Sequence, residues 1–321
     1  MMNRICILGG TGFVGQWLVA TLSKRGYPCR LLCRHPHRHA GLKVHPNIEL
    51  VKASQFDSPT LQKHFSGCQT IINLIGVLNE SSKLTFRSIH IDLVDHVVEA
   101  AIKSGATRLL HMSALHADAG KGSSEYLRSK GEGENRAHTH GSSALKVTSF
   151  RPSVIFGPDD SFFNRFAALL RLSPWIFPLA SPHSRFAPVY VGDVAEAFTR
   201  TIENPDTTGA HYDLCGPEVY TLKELVEYTA NQLGLRRIVL PLNPTLSQLQ
   251  AIVLGKLPGK PFTMDNYQSL QTDSICSRNG LIELGVAPQS IQSQVPCYLA
   301  KQGYRSRFNR YRQVIKPKKI S

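Results

Sequence analysis

The sequence predicts a doubly wound α/β fold, a parallel sheet covered on both sides by helices, from three observations. The first half alternates short strand-like and helix-like segments. Its predicted strands, such as RICILGG (4–10) and TIINLIG (70–76), are too uniformly apolar to expose one face to water. A glycine-rich turn joins the first strand to the first helix. Alternation of this kind is typical of parallel sheets buried between two layers of helices.

The elements follow one another closely in chain order. Further strands are predicted at PCRLLCR (28–34), IELVKAS (48–54), RLLHMSA (108–114) and LKVTSFRPS (145–153), and helices at 12–26, 58–67, 86–105 and around residues 126–130. After about residue 155, helical patterns are separated by proline-rich joints and the regular alternation ends. We therefore expect a dinucleotide-binding domain over 1–155, a smaller C-terminal lobe over 156–300 and a basic tail over 301–321.

The turn after the first strand has the pattern of a nucleotide site. ILGGTGFVGQWL (7–18) spaces three glycines three residues apart. Glycine permits a tight turn and a close approach of the backbone to a pyrophosphate, and the following helix N-terminus supplies unpaired N–H groups. Because the motif lies between a strand and a helix, it predicts a Rossmann-type dinucleotide site. The predicted contacts are Gly9, Gly12, Phe13, Val14 and Gly15.

The end of the second strand indicates which dinucleotide is bound. An acidic residue about 20 positions after the glycines binds the ribose 2′-hydroxyl, whereas arginine accommodates a 2′-phosphate. CRHPHRH (33–39) contains no acid. The sequence therefore favours NADP(H) over NAD(H), with Arg34 as the first candidate for the phosphate and Arg38 as the second. The alternating histidines of this loop lack a carboxylate or thiolate partner, so we expect no metal there.

Three further residues are candidates for nucleotide contacts. Asp57 follows the third strand, where it either reaches the adenine or caps the helix predicted at 58–67. Asn73 and Gly76 lie at the end of the fourth strand, and we expect them along the cofactor ribose.

A candidate catalytic group follows the fifth strand. Tyr126 and Lys130 in SSEYLRSKGEG (124–134) are four residues apart, which places them on one face of a helix. Ser113 ends the strand thirteen residues before Tyr126, at the carboxyl edge where ligands of open α/β sheets bind. A phenol with an ordinary pKa of about 10 needs an adjacent cation to ionise near neutral pH.

The glycine turn, Ser113, the Tyr-x-x-x-Lys pair and RPSVIFGPDD (151–160) together resemble the short-chain dehydrogenase/reductase superfamily, in its epimerase-like and atypical branches. The likeness covers about residues 3–235. YLRSKGEGE (126–134) in particular resembles the branch that contains the NADPH-binding accessory subunit of respiratory complex I and its bacterial relatives. Some members of that branch are associated with quinone biosynthesis.

This resemblance implies roles for individual residues. Tyr126 would be the general acid or base, Lys130 would lower the phenol pKa and hold the nicotinamide ribose, and Ser113 would steady the substrate oxygen. Pro152 and Val154 would pass close to the nicotinamide ring. On the structural alternative, the prolines of RPSVIFGPDD only direct the chain from the sheet into the second lobe.

The charge and the cysteine content of the sequence indicate the environment in which the protein works. The net charge is +14, but residues 301–321 carry eight Lys or Arg and no acid, so the first 300 residues hold +6. The tail is either a solvated end or a segment that docks on anionic lipid or on a protein partner. No nucleic-acid recognition motif and no run of 18 apolar residues is present. Seven scattered cysteines without a secretory signal predict reduced thiols in the cytoplasm.

Two functional hypotheses remain open. The first is an NADP(H)-dependent oxidoreductase or isomerase acting on a small-molecule carbonyl or alcohol. The second is a non-catalytic NADPH-binding accessory or assembly protein of a respiratory or quinone-biosynthesis system. Either protein would be cytoplasmic, and the basic tail would allow peripheral contact with the inner face of the membrane. Neither hypothesis involves nucleic acid.

Overall fold

The computed structural model of the protein describes residues 4–82, 84–141, 144–257 and 259–299. The strands in these ranges are β1 (Ile5–Leu8), β2 (Cys29–Cys33), β3 (Ile48–Lys52), β4 (Thr70–Asn73), β5 (Arg108–Met112), β6 (Lys146–Pro152), β7 (Ile155–Phe156), β8 (Ile176–Leu179), β9 (Arg185–Phe186), β10 (Val189–Tyr190), β11 (His211–Leu214), β12 (Tyr220–Thr221) and β13 (Ile238–Pro241). The α-helices are α1 (Phe13–Lys24), α2 (Ser58–Phe65), α3 (Leu93–Lys103), α4 (Glu125–Gly141), α5 (Phe163–Leu172), α6 (Val191–Glu203), α7 (Leu222–Gln232), α8 (Pro244–Gly255), α9 (Met264–Ser269), α10 (Gly280–Glu283) and α11 (Ile291–Leu299). A 3-10 segment, Pro36–Val44, follows β2, and a π-helical segment, Arg87–Asp92, leads into α3.

Seven strands form one parallel sheet in the order β11-β6-β5-β4-β1-β2-β3. Both faces of the sheet are buried because successive side chains point into different apolar layers. In β1, Ile5 and Ile7 pack with α1 and α6, whereas Cys6 and Leu8 pack with α2 and α3. The prediction of a doubly wound α/β fold is confirmed.

The strand order reverses at β1. From β1 the chain builds outward through β2 and β3, and it then crosses to the other side of β1 to form β4. Such a reversal opens a crevice at the carboxyl ends of the two central strands, which is where ligands bind in open α/β sheets. The predicted glycine turn and the residues after Asn73 lie at these two strand ends.

The smaller lobe has its own apolar core. Helices α5, α7 and α11 pack there with the strand pairs β7–β10 and β8–β13. The chain also returns to the sheet after residue 155, because β11 pairs with β6 and α6 packs against α1. The two lobes are therefore interleaved in sequence, and the division at 155 stays a prediction.

The expectation that all cysteines are reduced is wrong for two of them. Cys215, which follows β11, forms a disulfide with Cys276, and their Cα atoms lie 6.0 Å apart. The side chain of Asn279 holds the two segments together by donating to the backbone oxygen of Cys215 at 2.8 Å. The partners are 61 positions apart in the sequence, so their spacing gave no sign of the pairing. Because disulfides persist in oxidising compartments, the cysteines no longer favour a reducing cytoplasm.

Two parts of the chain are relevant to membrane contact, the helices and the basic tail. In the described part of the chain, no helix is both long enough and apolar enough to cross a bilayer. The predicted basic tail, 301–321, lies outside the described residues.

Candidate active site

The glycine turn after β1 leaves the N-terminus of α1 open. Gly9 has a φ of +78°, and a Cβ at Gly15 would lie 2.2 Å from the Gly9 backbone oxygen. Only glycine therefore lets the helix start this close to the strand. No side chain caps α1 and its first turn has no acid, so its free N–H groups fit the diphosphate of a dinucleotide. The predicted residues Gly9, Gly12, Phe13, Val14 and Gly15 all line one large cavity.

The predicted 2′-phosphate residues lie on the surface at the end of β2. Arg34 directly follows the strand, Arg38 lies in the 3-10 segment, and both are exposed. Partial desolvation, followed by the positive charges of Arg38, His37 and Arg34, lowers the pKa of His35. This loop is therefore a cationic cluster. Neither arginine is among the residues that line the cavity.

The structure gives Asp57, Asn73 and Gly76 different environments. Asp57 caps α2, accepting a hydrogen bond from the Thr60 N–H at 2.9 Å, as the structural alternative predicted. Asn73 is buried, and its side-chain oxygen accepts from the Ile75 N–H at 3.2 Å. Gly76 lines the cavity, and a Cβ there would lie 3.0 Å from Lys130 Nζ. Cofactor contacts by these residues stay predictions.

The predicted catalytic residues meet at the cavity wall. Ser113 follows β5, Tyr126 and Lys130 lie in the first turns of α4, and all three line the cavity. Lys130 is buried, and its Nζ donates to the backbone oxygen of Met112 at 2.9 Å. Burial lowers the pKa of Lys130 to about 8, although Glu134 opposes the shift. Pro152 and Val154 line the same cavity.

The pKa of Tyr126 differs from the value that the resemblance implied. Burial and the negative charge of Asp265 raise it to about 12. The expected lowering by Lys130 is absent because the buried ammonium is directed at the backbone of β5. Tyr126 is therefore protonated at neutral pH and can donate a proton to a ligand in the cavity.

Glu134, which sequence reasoning missed, is a buried carboxylate that connects Ser113 to Arg151 and His211. Its carboxylate accepts from Ser113 Oγ at 2.6 Å and from Arg151 Nε at 2.9 Å, and lies 2.6 Å from His211 Nδ1. Burial disfavours the carboxylate, but the hydrogen bond with His211, the charge of Arg151 and the Ser113 hydroxyl together lower the pKa of Glu134 to about 2. Ser113 thus donates to Glu134 and presents its lone pairs to the cavity.

Glu134 also belongs to a group with metal-ligand geometry. The donor atoms of Glu134, His138 and His211 lie within 4.8 Å of one another. The carboxylate already forms an ion pair with Arg151, so an added cation would meet the positive charge of that arginine.

A second missed residue, His90, positions the ring of Tyr126. His90 lies in the π-helical segment, is buried, and stacks on Phe86 while meeting the Tyr126 ring edge-on at 5.6 Å. Its Nε2 accepts from the Val77 N–H at 3.2 Å. The proton is therefore on Nδ1, which donates to Ser129 Oγ at 2.9 Å. Burial, followed by the charge of Lys130, lowers the pKa of His90 to about 2, so the ring is neutral.

Beyond the predicted catalytic residues the cavity is large and mainly apolar. Its volume is about 760 Å³. Two charged residues in its wall are engaged elsewhere: Arg165 donates to the Pro261 backbone oxygen, and Asp273 pairs with Arg185. The apolar part of the wall includes Leu115, Phe162, Phe166, Phe177, Leu254 and Leu270.

Known proteins with similar sequences include respiratory subunits and a lipid-modifying enzyme. The mitochondrial NADH dehydrogenase (ubiquinone) 1 alpha subcomplex subunit 9 of Rattus norvegicus is 28% identical over 299 residues, covering 89% of this chain and 77% of that protein. The 40 kDa subunit of the NADH-ubiquinone oxidoreductase of Neurospora crassa is 24% identical, with coverages of 94% and 79%. A ceramide reductase of Caulobacter vibrioides is 28% identical, with coverages of 72% and 70%.

Solved structures and a family model agree on the fold. An NADPH-dependent quinone oxidoreductase from Escherichia coli, complexed with NADPH, superposes with a TM-score of 0.72 at 19% identity, covering 90% of this chain and 97% of that one. MoeE5 in complex with UDP-glucuronic acid and NAD gives 0.71 at 18% identity, with coverages of 95% and 100%. The model of the NAD dependent epimerase/dehydratase family matches residues 5–215. With its glycine turn and parallel sheet, the chain therefore belongs to the NAD-dependent epimerase/dehydratase family.

Proposed function

We propose that the protein is an NADP(H)-dependent oxidoreductase acting on a carbonyl or alcohol group of a lipid-soluble small molecule. The observation that carries the proposal is that Ser113, Tyr126 and Lys130 line the same cavity as the open N-terminus of α1. One molecule bound there would touch both the phosphate-binding turn and the proton-transfer residues. NADPH, when bound, would supply the hydride.

The protonation states assign roles to the three side chains. Tyr126 holds its proton at neutral pH, so it would act as the acid that protonates the oxygen of a carbonyl undergoing reduction. Lys130, buried beside Gly76 and Met112, would face the cofactor ribose, where its ammonium would donate to a ribose hydroxyl. Ser113 would accept a hydrogen bond from a substrate hydroxyl, because its own proton is directed at Glu134.

Preference for NADP(H) over NAD(H) rests on the cationic loop. Arg34 and Arg38 flank the end of β2, and no acid lies between residues 33 and 39. A 2′-phosphate would meet two exposed guanidinium groups there, whereas a 2′-hydroxyl would find no carboxylate.

The lining of the cavity supports an apolar substrate. Aromatic and aliphatic side chains form most of its wall, and Arg165 and Asp273 are already paired. Quinones and long-chain ketones have a reducible carbonyl next to apolar substituents. The similar quinone oxidoreductase is named for quinones and the similar ceramide reductase for a long-chain lipid, which supports a link to quinone or lipid metabolism.

A second candidate function is that of a non-catalytic NADPH-binding accessory or assembly protein. The observation that favours it is the similarity to respiratory-complex subunits over 89% to 94% of the chain. In that function NADPH would be a structural or sensing ligand, and the basic tail at 301–321 would dock the protein on a respiratory partner or on the inner face of the membrane.

The Tyr126→Phe variant distinguishes the two functions. We first identify the nucleotide that co-purifies with the protein, and then test whether short-chain quinones or ketones oxidise bound NADPH. An oxidoreductase should lose about 100-fold or more of its turnover in the variant while keeping its cofactor affinity. The matched control, Tyr27→Phe, removes a hydroxyl that donates to Glu203 near the surface and should leave turnover unchanged. Bound NADPH that no acceptor oxidises would contradict the enzyme proposal and favour the accessory function.

A further inference from the structure

The pair of strands β8 and β13 has an apolar outer face. Ile176 lies beside Ile238 and Pro178 beside Leu240 in the parallel register, and all four side chains are exposed. At the alternate positions, Phe177, Leu179 and Val239 belong to the core of the smaller lobe, whereas Pro241 at the end of β13 is exposed. Exposed strands normally carry polar residues on the solvent side, so this face is unusual for a surface in water.

Helix α8 continues the apolar surface. It has no charged residue between Pro244 and Gly255. Its buried side is formed by Ser247 and Ala251, while its exposed positions are mainly apolar, with Leu246, Leu249, Ile252 and Val253 beside the polar Thr245 and Gln248. The Gln250 amide donates to the Pro178 backbone oxygen at 3.0 Å, which holds the helix alongside β8. We define the apolar face as Trp175, Ile176, Pro178, Ile238, Leu240, Leu246, Leu249, Ile252, Val253 and Leu257.

The charged residues within the two stretches that supply the apolar face are all positive. The sequence has no Asp or Glu from 161 to 192 or from 228 to 264, the two stretches that supply the face. Arg171, Arg236 and Lys256 lie next to it in sequence and are exposed. Trp175 is 77% exposed at its edge. Segments that lie in the interface of an anionic membrane typically combine an apolar surface, an exposed tryptophan and neighbouring cationic residues.

The same elements form part of the cavity wall. Phe177, Pro178 and Leu179 of β8, and Gln250 and Leu254 of α8, line the cavity, so Pro178 belongs both to the cavity wall and to the apolar face. A bilayer against this face would lie one layer of secondary structure away from the cavity, so a lipid-soluble ligand would have only a short path to it.

We propose that the apolar face of β8, β13 and α8 inserts into the interface of an anionic lipid bilayer and holds the protein on the membrane. This contact is made by the folded lobe and is distinct from any docking by the 301–321 tail. It does not depend on turnover at the candidate active site. A protein partner is the alternative occupant, but the absence of acidic residues from both stretches matches anionic headgroups better than a mixed protein surface.

Tryptophan fluorescence of the full-length protein tests insertion directly. The chain has two tryptophans, of which Trp17 is packed against Tyr190 and Trp175 is exposed on the face. Vesicles of phosphatidylcholine and phosphatidylglycerol with brominated acyl chains should quench Trp175 emission and shift it to the blue. The Trp175→Phe variant should lose this response. A lack of quenching in the wild type would overturn the proposal and indicate that the face docks on a protein.

Two variants with the same added charge distinguish insertion of the apolar face from general electrostatic attraction of the protein to the vesicles. The Leu249→Glu/Val253→Glu variant places two carboxylates on the face and should weaken binding to these vesicles by at least about tenfold. The Val44→Glu/Ile282→Glu control adds the same charge at two exposed apolar residues away from the face, and should bind within about twofold of the wild type. Circular dichroism checks that both variants are folded. Equal binding by the two variants would show that the basic tail, not the face, holds the protein.

Discussion

Lys130 is a cation that the fold removes from water beside the candidate substrate position. Its side chain is 5% exposed, and it donates to one backbone oxygen, that of Met112. Burial lowers the pKa of Lys130 from 10.5 to about 8, a shift that corresponds to about 3 kcal/mol against the charged form. The hydrogen bond to Met112 recovers part of this cost. A buried charged group that lowers the stability of the folded protein by this amount is typical of a functional site.

We expect Lys130→Met to stabilise the protein at neutral pH by roughly 1 to 2 kcal/mol while abolishing turnover. The folded protein binds its proton more weakly than the unfolded chain, so the penalty is complete below pH 8 and is relieved as the pH rises from about 8 to 10.5. Urea unfolding at pH 7 and pH 10 measures the difference, which should shrink at the higher pH. Lys121→Met, at an exposed position, is the control. A variant less stable than the wild type at pH 7 would contradict this account.

Glu134 contributes stability with the opposite pH dependence. Its pKa falls from 4.5 to about 2 in the folded protein, so its contribution is complete above pH 4.5 and is lost as the pH falls toward 2. We expect Glu134→Gln to destabilise the protein by about 3 kcal/mol at pH 7, because Arg151 and His211 lose a buried carboxylate. The difference from the wild type, measured by urea unfolding, should narrow below pH 4.5. Glu132→Gln on the exposed side of α4 should show little change.

Sequence patterns predicted those residues of this site whose positions depend on a single helix or strand. Tyr126 and Lys130 are one helical turn apart, and Ser113 ends a strand, so their placement follows from local geometry. Glu134 and His90 were missed because their partners come from distant segments: Glu134 meets Arg151 and His211 only when β6 and β11 pair beside α4. Glu134 lies one turn after Lys130, and that spacing was the available signal.

Helix α1 shows how a single atom can fix an element in place. A Cβ at Gly15 would meet the backbone of Gly9 and Gly10 at 2.2 to 2.7 Å, and backbone cannot move aside as a side chain can. We expect Gly15→Ala to displace the start of α1, lowering stability by more than about 2 kcal/mol and NADPH affinity at least tenfold. Gly41→Ala is the matched control, since no atom lies within 4 Å of its Cβ. Thermal unfolding and fluorescence titration with NADPH measure both effects, and an alanine tolerated at 15 would contradict the close-packing argument.

The helix pattern over 86–105 predicted an element but not its internal geometry. The first turns, Arg87–Asp92, are π-helical, and the α-helix begins only at Leu93. A π-helical turn has about one residue more than an α-helical turn, and the hydrophobic pattern of the sequence does not reveal this difference over so short a segment. The wider turn matters because His90 meets α4 there: a Cβ at Gly133 would lie 1.8 Å from the His90 backbone oxygen. The close approach of the two helices sets the ring of Tyr126 against His90.

At the scale of the whole molecule, the two lobes are joined by more than the chain between them. β11 and α6 return to the sheet. The segment near Cys276 contacts the smaller lobe, where the Ala187 N–H donates to the Ser274 backbone oxygen at 3.0 Å. Ser153, in the cavity wall, also donates to that oxygen at 2.8 Å. The disulfide at Cys215 therefore fixes a segment that closes one side of the candidate site.

Removing this disulfide should loosen the whole fold. Cys215 and Cys276 are 61 positions apart, and loop-closure entropy for a loop of that length is about 4 kcal/mol in the unfolded chain. We expect Cys215→Ser/Cys276→Ser to lose about 2 to 4 kcal/mol in urea unfolding, with Cys297→Ser, which changes an exposed free thiol, within about 0.5 kcal/mol of the wild type. Dithiothreitol should lower the wild type to the level of the double variant and leave that variant unaffected. Seven thiols accessible to alkylation in the denatured, unreduced protein would instead show that the two cysteines stay reduced, as their scatter along the sequence first suggested.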